Sequence, residues 1–200
     1  MIAVAIGAES AMTKPAQFCT QWLMGNMSEE QFILGRDSII KVLGNLPINS
    51  DAMMFVVDQS SHQVINETFP QWKDELFNLK YTEYRTGSVI SADMMTNNLL
   101  KCFPSGYEAL RPKLPQISII FTIPDTQISG TFDKKHKKSF VVLLDGVKNS
   151  DPTVWLPMAT NGHHVFNQTT DNAALLDLLA EGMYLPKAQF VLLPISTMYI

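Results

Sequence analysis

The chain has 200 residues, of which 46% are hydrophobic and 17% are charged, and its formal net charge is −4. This length and apolar content suffice for one sizeable core, so we expect a single domain over residues 1–200. The acidic balance argues against nucleic acid as a partner, because proteins that bind phosphate backbones carry clustered basic residues. A surface with so few charges predicts contact with another protein.

The sequence contains no apolar run of the roughly 18 residues that a membrane helix requires, so we expect a soluble protein without a membrane partner. The apolar start, Met1–Ala8, lacks basic residues and is interpreted as a first strand rather than a leader. The two cysteines, Cys19 and Cys102, cannot be paired from sequence. We expect reduced thiols and a cytoplasmic location, although a secreted effector or a virus-encoded protein is also compatible.

Helical spacing dominates the first half of the chain. A first helix is predicted over Thr13–Gly25, because Phe18 and Trp22 lie one turn apart. A second is predicted over Ser28–Gly44, since Ser28 and Gln31 have the spacing of a capping box and Gly44 suits a helix end.

The next elements are less uniform in their pattern. A short apolar run between two aspartates, Ala52–Val57, favours a strand, and Phe69–Leu79 has helical spacing. Thr, Tyr and Val residues in Tyr81–Ile90 favour a strand there. Ser91 is suited to cap a helix that ends near Phe103.

The second half alternates apolar, β-branched runs with polar turns, which is typical of strands. Strands are expected at Gln116–Ile123, Gln127–Phe132, Ser139–Leu144, Thr153–Leu156 and Gln189–Ile200. A helix capped by Thr170 or Asp171 is expected to end near Gly182.

These elements predict an α+β fold. Strands joined by short polar turns usually pair antiparallel, so we expect a mixed, largely antiparallel sheet built mainly from the strand-rich residues 116–200. Helices from the helix-rich residues 1–111, together with one C-terminal helix, are expected to pack against it.

One set of residues has the types required for nucleophilic catalysis. Cys19 falls in the first turns of the predicted first helix, where the helix dipole favours a thiolate. His163 and His164 follow much later, with Asn167 and Asp171 close behind. This order resembles that of papain-like cysteine hydrolases and transferases, which implies Cys19 as nucleophile and His163 or His164 as base.

Several observations favour a structural interpretation of the same residues. The Cys-Gly-Ser-Cys-Trp signature of papain-like enzymes is absent, and a free cysteine such as Cys19 is commonly a small buried core residue. A metal site of His163 and Asp171 with Cys102 or His62 has no recognised ligand spacing. We therefore expect neither metal nor cofactor.

Aromatic residues suggest a binding surface. The chain contains 3 Trp and 5 Tyr, types that are enriched at interfaces. Tyr81 and Tyr84 flank Glu83 and precede Arg85, a combination common on binding faces, although aromatic residues also fill large cores.

A basic cluster at Lys134, Lys135, Lys137 and Lys138 is the second candidate. It could contact an acidic partner or a phosphate. The favoured interpretation is a solvated hairpin tip whose lysines prevent edge pairing, because no aromatic or glycine-rich cradle accompanies the charges.

The leading hypothesis is thus a non-enzymatic protein-interaction module: an adaptor, an inhibitor or immunity-type protein, or an accessory protein of a mobile element or virus. Homo-oligomerisation through the C-terminal strand is an accompanying expectation. The papain-like enzyme is the alternative.

Overall fold

The structure of the protein is a computed structural model that describes residues 15–46, 50–66, 72–84, 87, 89–104, 114–134, 138–144, 155–160 and 165–167. Within these residues the main sheet has six strands: β1 Gln17–Leu23, β2 Asp51–Val57, β3 Ser61–Asn66, β5 Gln116–Thr122, β7 Lys138–Leu143 and β8 Val165–Asn167. A small second sheet pairs β4 Ile90–Ser91 with β6 Ile128–Ser129. The helices of the described residues are α1 Glu29–Leu43, α2 Trp72–Asn78 and α3 Ala92–Cys102.

Strand order in the main sheet is β3-β2-β1-β5-β7-β8. β1 is central and runs parallel to both β2 and β5, and β7 and β8 continue the parallel arrangement. Among the described strands of this sheet only β3 is antiparallel, because a short turn joins it to β2. The parallel strands therefore end along one side of the sheet, which we call the carboxyl edge; Leu23, Val57, Thr122 and Leu143 are the last residues of β1, β2, β5 and β7.

The predicted α+β class is confirmed, as are a mixed sheet and helices from the N-terminal half packed against it. The strand directions differ from the prediction, because the sheet is mainly parallel rather than largely antiparallel. Its described strands also come equally from the two halves of the chain. Helices α1 and α3 lie between successive parallel strands, as crossovers require.

The predicted first helix is wrong, because Gln17–Leu23 forms the central strand β1. Phe18 and Trp22 are an even number of residues apart, so they share one face of a strand as readily as one face of a helix. All seven residues of β1 are buried, which is expected of a parallel strand covered on both faces.

The two faces of the sheet bury different side chains. On the face toward α1 and α2, called the α1 face, the core contains Phe18, Trp22, Val56 and Phe121. Trp22 is fully buried, and its ring stacks on Phe32 of α1 at a centroid distance of 4.7 Å. This face is therefore held mainly by apolar packing.

The opposite face, called the α3 face, packs against α3 and the turn that begins at Trp155. It holds a disulfide between Cys19 and Cys102, with a Cα–Cα distance of 5.7 Å. The expectation of reduced thiols is therefore wrong. The sequence could not reveal that β1 and the end of α3 lie side by side.

A buried polar network also crosses the α3 face. Gln21 Nε2 donates to the Met95 carbonyl at 3.1 Å, and Asn98 Nδ2 donates to Gln21 Oε1 at 3.2 Å. Ser61 Oγ then donates to Asn98 Oδ1 at 2.8 Å. These bonds connect β1, α3 and β3, and they satisfy amides that would otherwise be costly to bury.

The predicted helix that begins after Ser28 is confirmed as α1. Ser28 Oγ accepts from the Gln31 N–H, and the Gln31 side chain accepts from the Ser28 N–H, which completes the capping box. Gly35 lies where α1 meets the sheet. A Cβ there would be 2.7 Å from Leu144 Cδ1 and 3.0 Å from the Trp22 ring, so glycine permits the close approach.

Other local predictions are confirmed in part. Strands β2, β5 and β7 and helix α3 lie where predicted, and α2 occupies part of Phe69–Leu79. In Tyr81–Ile90 the described residues form a 3₁₀ turn at Tyr81–Glu83, and only Ile90 is in a strand. The strand expected at Thr153–Leu156 is a turn where it is described, at Trp155 and Leu156.

The predictions for residues 1–8, 170–183 and 189–200 lie outside the described residues, so the C-terminal helix and the C-terminal strand stay predictions. The single-domain assignment also stays a prediction. No helix of the described part of the chain is long and apolar enough to cross a membrane.

Candidate functional site at the carboxyl edge

The strand order makes the carboxyl ends of β1 and β5 the first candidate for a binding site. These parallel neighbours mark the point where the chain leaves in opposite directions, through α1 to β2 on one side and toward β7 on the other. In open sheets of this kind, ligands bind outside the carboxyl ends of the strands at such a switch point.

The crevice directly between β1 and β5 is filled. The chain turns after β1 at Gly25, where φ is +33°, and a Cβ at that position would lie 2.4 Å from Thr126 Oγ1. The Gly87 N–H donates to the Gly25 carbonyl from a third segment. Thr126 is 5% exposed and thus closes the crevice.

An open groove of about 670 Å³ adjoins this closed crevice, a volume within the range of ligand-binding clefts. We call it the carboxyl-edge groove. It is lined by Val89, Pro124, Asp125, Thr126, Gln127, Ile128, Gly130, Thr131, Phe132, Trp155, Pro157 and Met158.

The deep part of the groove is apolar and well packed. Phe132 is 7% exposed and Trp155 is 1% exposed, so both rings belong to the core beneath it. Val89, by contrast, is 51% exposed at the rim. The groove therefore combines a fixed aromatic floor with an accessible apolar edge.

Lys134 stabilises the groove wall that is formed by the residues directly after Trp155. Its ammonium donates to the carbonyls of Pro157 and Ala159. The Met158 N–H donates to the Trp155 carbonyl at 3.0 Å, which closes the turn. Lys134 thus positions part of the groove.

A second polar cluster follows β2 at the same edge. Asp58 Oδ1 accepts from the Ser60 N–H at 2.7 Å, and it lies 3.2 Å from His62 Nε2. Ser60 Oγ lies 3.0 Å from that same His62 nitrogen. In a hydrolase triad the acid and the nucleophile contact different ring nitrogens, so this arrangement fits a stabilised turn rather than a proton relay.

Tyr84 packs beside this turn, with its ring 5.7 Å from that of His62 and 6.2 Å from that of Phe32. Burial first, and then the nearby Glu83 and Asp58 carboxylates, raise the pKa of Tyr84 to about 12. The phenol therefore remains protonated well beyond neutral pH.

A shallower groove of about 450 Å³ lies between α1 and the end of α2. Ile33 and Phe77 line it and are 44% and 55% exposed. Arg36 lies over the Phe77 ring at 5.7 Å. The rim includes Glu29, Arg36 and Lys80, so it carries charges of both signs.

The structure contradicts the premise of the predicted catalytic nucleophile. Cys19 lies in the middle of β1 rather than at a helix N-terminus, it is 0% exposed, and it is bonded to Cys102. A disulfide sulfur is not the thiolate that nucleophilic catalysis requires. The predicted partners His163, His164 and Asp171 lie outside the described residues.

The predicted binding residues are dispersed. Tyr81 Oη donates to the Met27 carbonyl at 2.8 Å, and the rings of Tyr81 and Tyr84 both contact Phe32. Lys134 donates to the carbonyl of Pro157, a residue of the carboxyl-edge groove, and Lys138 begins β7. The structure does not describe Arg85, Lys135 or Lys137. Whether these residues bind a partner stays a prediction.

Sequence reasoning missed the carboxyl-edge groove because its walls come from distant segments. Val89, Phe132 and Trp155 meet only once the strand order is known. The available signal was Pro124-Asp125, a turn directly after a buried strand, since such a turn marks the carboxyl end of that strand.

Comparison with known proteins places the fold. No family model matches the chain, and no curated protein matches it either. Among solved structures it is similar to an aerotolerance-related membrane protein from Bacteroides fragilis, with 9% identity and a TM-score of 0.65 over 84% of this chain and 98% of that one. BatB from Bacteroides thetaiotaomicron has 11% identity and a TM-score of 0.61 over the same shares.

Proximal thread matrix protein 1 from the mussel byssus is also similar, with 11% identity and a TM-score of 0.60 over 85% of this chain. Our chain spans 48% of that protein's length. At these identities the likeness concerns the fold alone.

One structure of the mussel protein has a zinc-occupied MIDAS motif. Among the described residues, no group of three or more His, Cys, Asp and Glu side chains could hold a metal ion. At the crevice, Met24 follows β1 and Ser28 Oγ is engaged as the α1 cap. These residues do not fit a metal site.

Proposed function

We propose that this protein is a non-enzymatic protein-interaction domain that binds another protein through the carboxyl-edge groove. The observation that supports this most directly is the groove itself, which is open and about 670 Å³ in volume. Val89, which is 51% exposed, and the buried Trp155 both line it, and an apolar groove with an aromatic floor is suited to receive a partner side chain.

The sequence also predicts more specific roles for such a domain: an adaptor, an inhibitor or immunity-type protein, or an accessory protein of a mobile element or virus. These roles are proposals as well. Homo-oligomerisation is a further proposal. A cytoplasmic location also stays a prediction, and the Cys19–Cys102 disulfide counts against it because disulfides persist mainly in oxidising compartments. The papain-like alternative would require reduction of that disulfide.

The test is a selection of random twelve-residue peptides, displayed on phage, against the full chain. Val89→Lys places a charge at the groove rim. Leu100→Lys is the matched control, because Leu100 is 49% exposed on α3 and does not line the groove. Circular dichroism spectra of both variants establish that they fold.

Peptides that are retained by the native chain and by Leu100→Lys but lost by Val89→Lys would support the proposal. We expect at least about a tenfold loss of affinity, since burying an unpaired charge costs more than 1.4 kcal/mol. Failure to select any peptide, or equal binding to both variants, would contradict it.

A further inference from the structure

We infer that the carboxyl-edge groove binds an extended peptide segment in which a bulky apolar residue is flanked by lysine or arginine, and that this segment pairs with β6. The inference rests on the proposed function and names the class of partner.

The first support is the exposed edge of β6. β6 pairs with β4 through Ile128 opposite Ile90 and Ser129 opposite Ser91. The described part of the chain places no strand on its other side. Gln127, Ile128 and Gly130 line the groove, so β6 forms part of its wall. A strand edge offers unpaired N–H and C=O groups that an added strand can satisfy.

The second support is the shape and polarity of the groove. Phe132, Trp155 and Met158 form a floor that is at least nine-tenths buried. In an extended peptide alternate side chains point to the same side, so one side chain can enter the groove while its neighbours point away. A bulky apolar residue is the natural occupant.

The third support is charge. Asp125 is exposed within the groove lining. Asp93 is exposed in the first turn of α3, next to Ala92, whose Cβ would lie 3.6 Å from a Cβ at Gly130 of the groove wall. The ammonium of the nearby Lys134 donates to the Pro157 and Ala159 carbonyls, which anchors this cation to the groove wall. An acidic rim favours a basic segment.

The α1–α2 groove lacks such a preference. Its rim combines Glu29 with Arg36 and Lys80. Nor does a strand border it, because its lining residues belong to α1 and to the segment 77–82. The combination of strand edge, apolar floor and acidic rim is found at the carboxyl-edge groove.

The experiment uses the peptides selected on the full chain and measures their affinities by fluorescence anisotropy. We expect lysine or arginine to be enriched on both sides of a bulky apolar residue. Asp125→Lys should weaken the strongest of these peptides about tenfold, and a peptide with glutamate in place of its lysines should regain affinity for that variant. Asp37→Lys, an exposed aspartate of α1, is the control.

Pairing with β6 is tested by methylating single peptide amides. Methylation at alternate positions should reduce affinity about tenfold, and methylation at the intervening positions should not, since only every second amide of a strand faces one neighbour.

The outcomes separate the two proposals. Selected peptides that depend on Val89 but are neutral or acidic, or that bind Asp125→Lys as well as the native chain, would overturn this inference and leave the proposed function standing. Equal sensitivity at all methylated positions would overturn the pairing with β6. No Val89-dependent peptide at all would overturn both proposals.

Discussion

The α1 face and the α3 face of the main sheet are built from the same strands but are held by different interactions. On the α1 face, Trp22, Val56 and Phe121 are buried among apolar neighbours. On the α3 face, β1 contributes Cys19 to a disulfide and Gln21 to a hydrogen-bond network. Alternation along one strand thus supplies two kinds of contact.

This difference indicates which contacts fix the position of α3 and of the groove wall beside it. Apolar packing is non-directional, whereas a disulfide and paired amides fix the position of a helix along a strand. The carboxyl-edge groove lies on the side of α3, and its floor residue Trp155 belongs to the core of the α3 face. We therefore expect the directional contacts of α3 to hold the groove wall.

The largest effect is expected on the α1 face. Trp22→Ala should lower the free energy of unfolding by about 3–5 kcal/mol, because it removes a fully buried ring and leaves a cavity. Urea unfolding measures this change. Phe77→Ala, at a ring that is 55% exposed, is the control and should cost much less. Equal losses would mean that Trp22 is not a core residue.

On the α3 face the disulfide is expected to have the next largest effect. Replacing both cysteines, Cys19→Ala with Cys102→Ala, should cost about 2–4 kcal/mol, because the link closes a long loop in the unfolded chain. A reductant should destabilise the native protein and leave the double variant unchanged. Two titratable thiols in native protein prepared without reductant would contradict the disulfide.

The third largest loss of stability is expected from breaking the polar network of the α3 face. Asn98→Ala should cost about 1–3 kcal/mol, since Gln21 Oε1 and the Ser61 hydroxyl lose their partner inside the protein. Asn45→Ala removes an amide bond to the Lys41 carbonyl at an exposed site and should cost less. If the two variants unfold at the same urea concentration, the network does not stabilise the α3 face.

The smallest effect on the free energy of unfolding is expected from Tyr84, which packs with the α1 face. This effect depends on pH. The pKa of Tyr84 is raised from 10.0 to about 12 in the folded protein. The unfolded chain therefore loses this proton first, and the stability that Tyr84 contributes is complete below pH 10 and is lost as the pH rises toward 12. Tyr84→Phe should unfold with a shallower pH dependence in that window. Identical alkaline profiles would show that Tyr84 does not contribute.

Local signals in the sequence predicted the elements that local interactions determine. The capping box of Ser28 and Gln31 lies within one turn of helix, and α1 begins there as expected. Ser91 likewise caps α3. For β1 the local signal was ambiguous, since Phe18 and Trp22 suit either structure, and two parallel neighbours decided the outcome.

Strand order and the groove depend on contacts between distant segments. Cys19 and Cys102 are 83 residues apart, and Val89 meets Trp155 only through the intervening strands. No periodicity encodes such contacts. The sequence therefore predicted the fold class but not the surface to which we assign the proposed function.

Hydrogen exchange read by mass spectrometry tests the binding site most directly. The full chain is compared with and without a saturating Val89-dependent peptide. We predict added protection in residues 124–132 and 155–158, which form the groove and β6. Protection confined to residues 29–36 and 77–82, at the α1–α2 groove, would contradict the account, as would no protection anywhere.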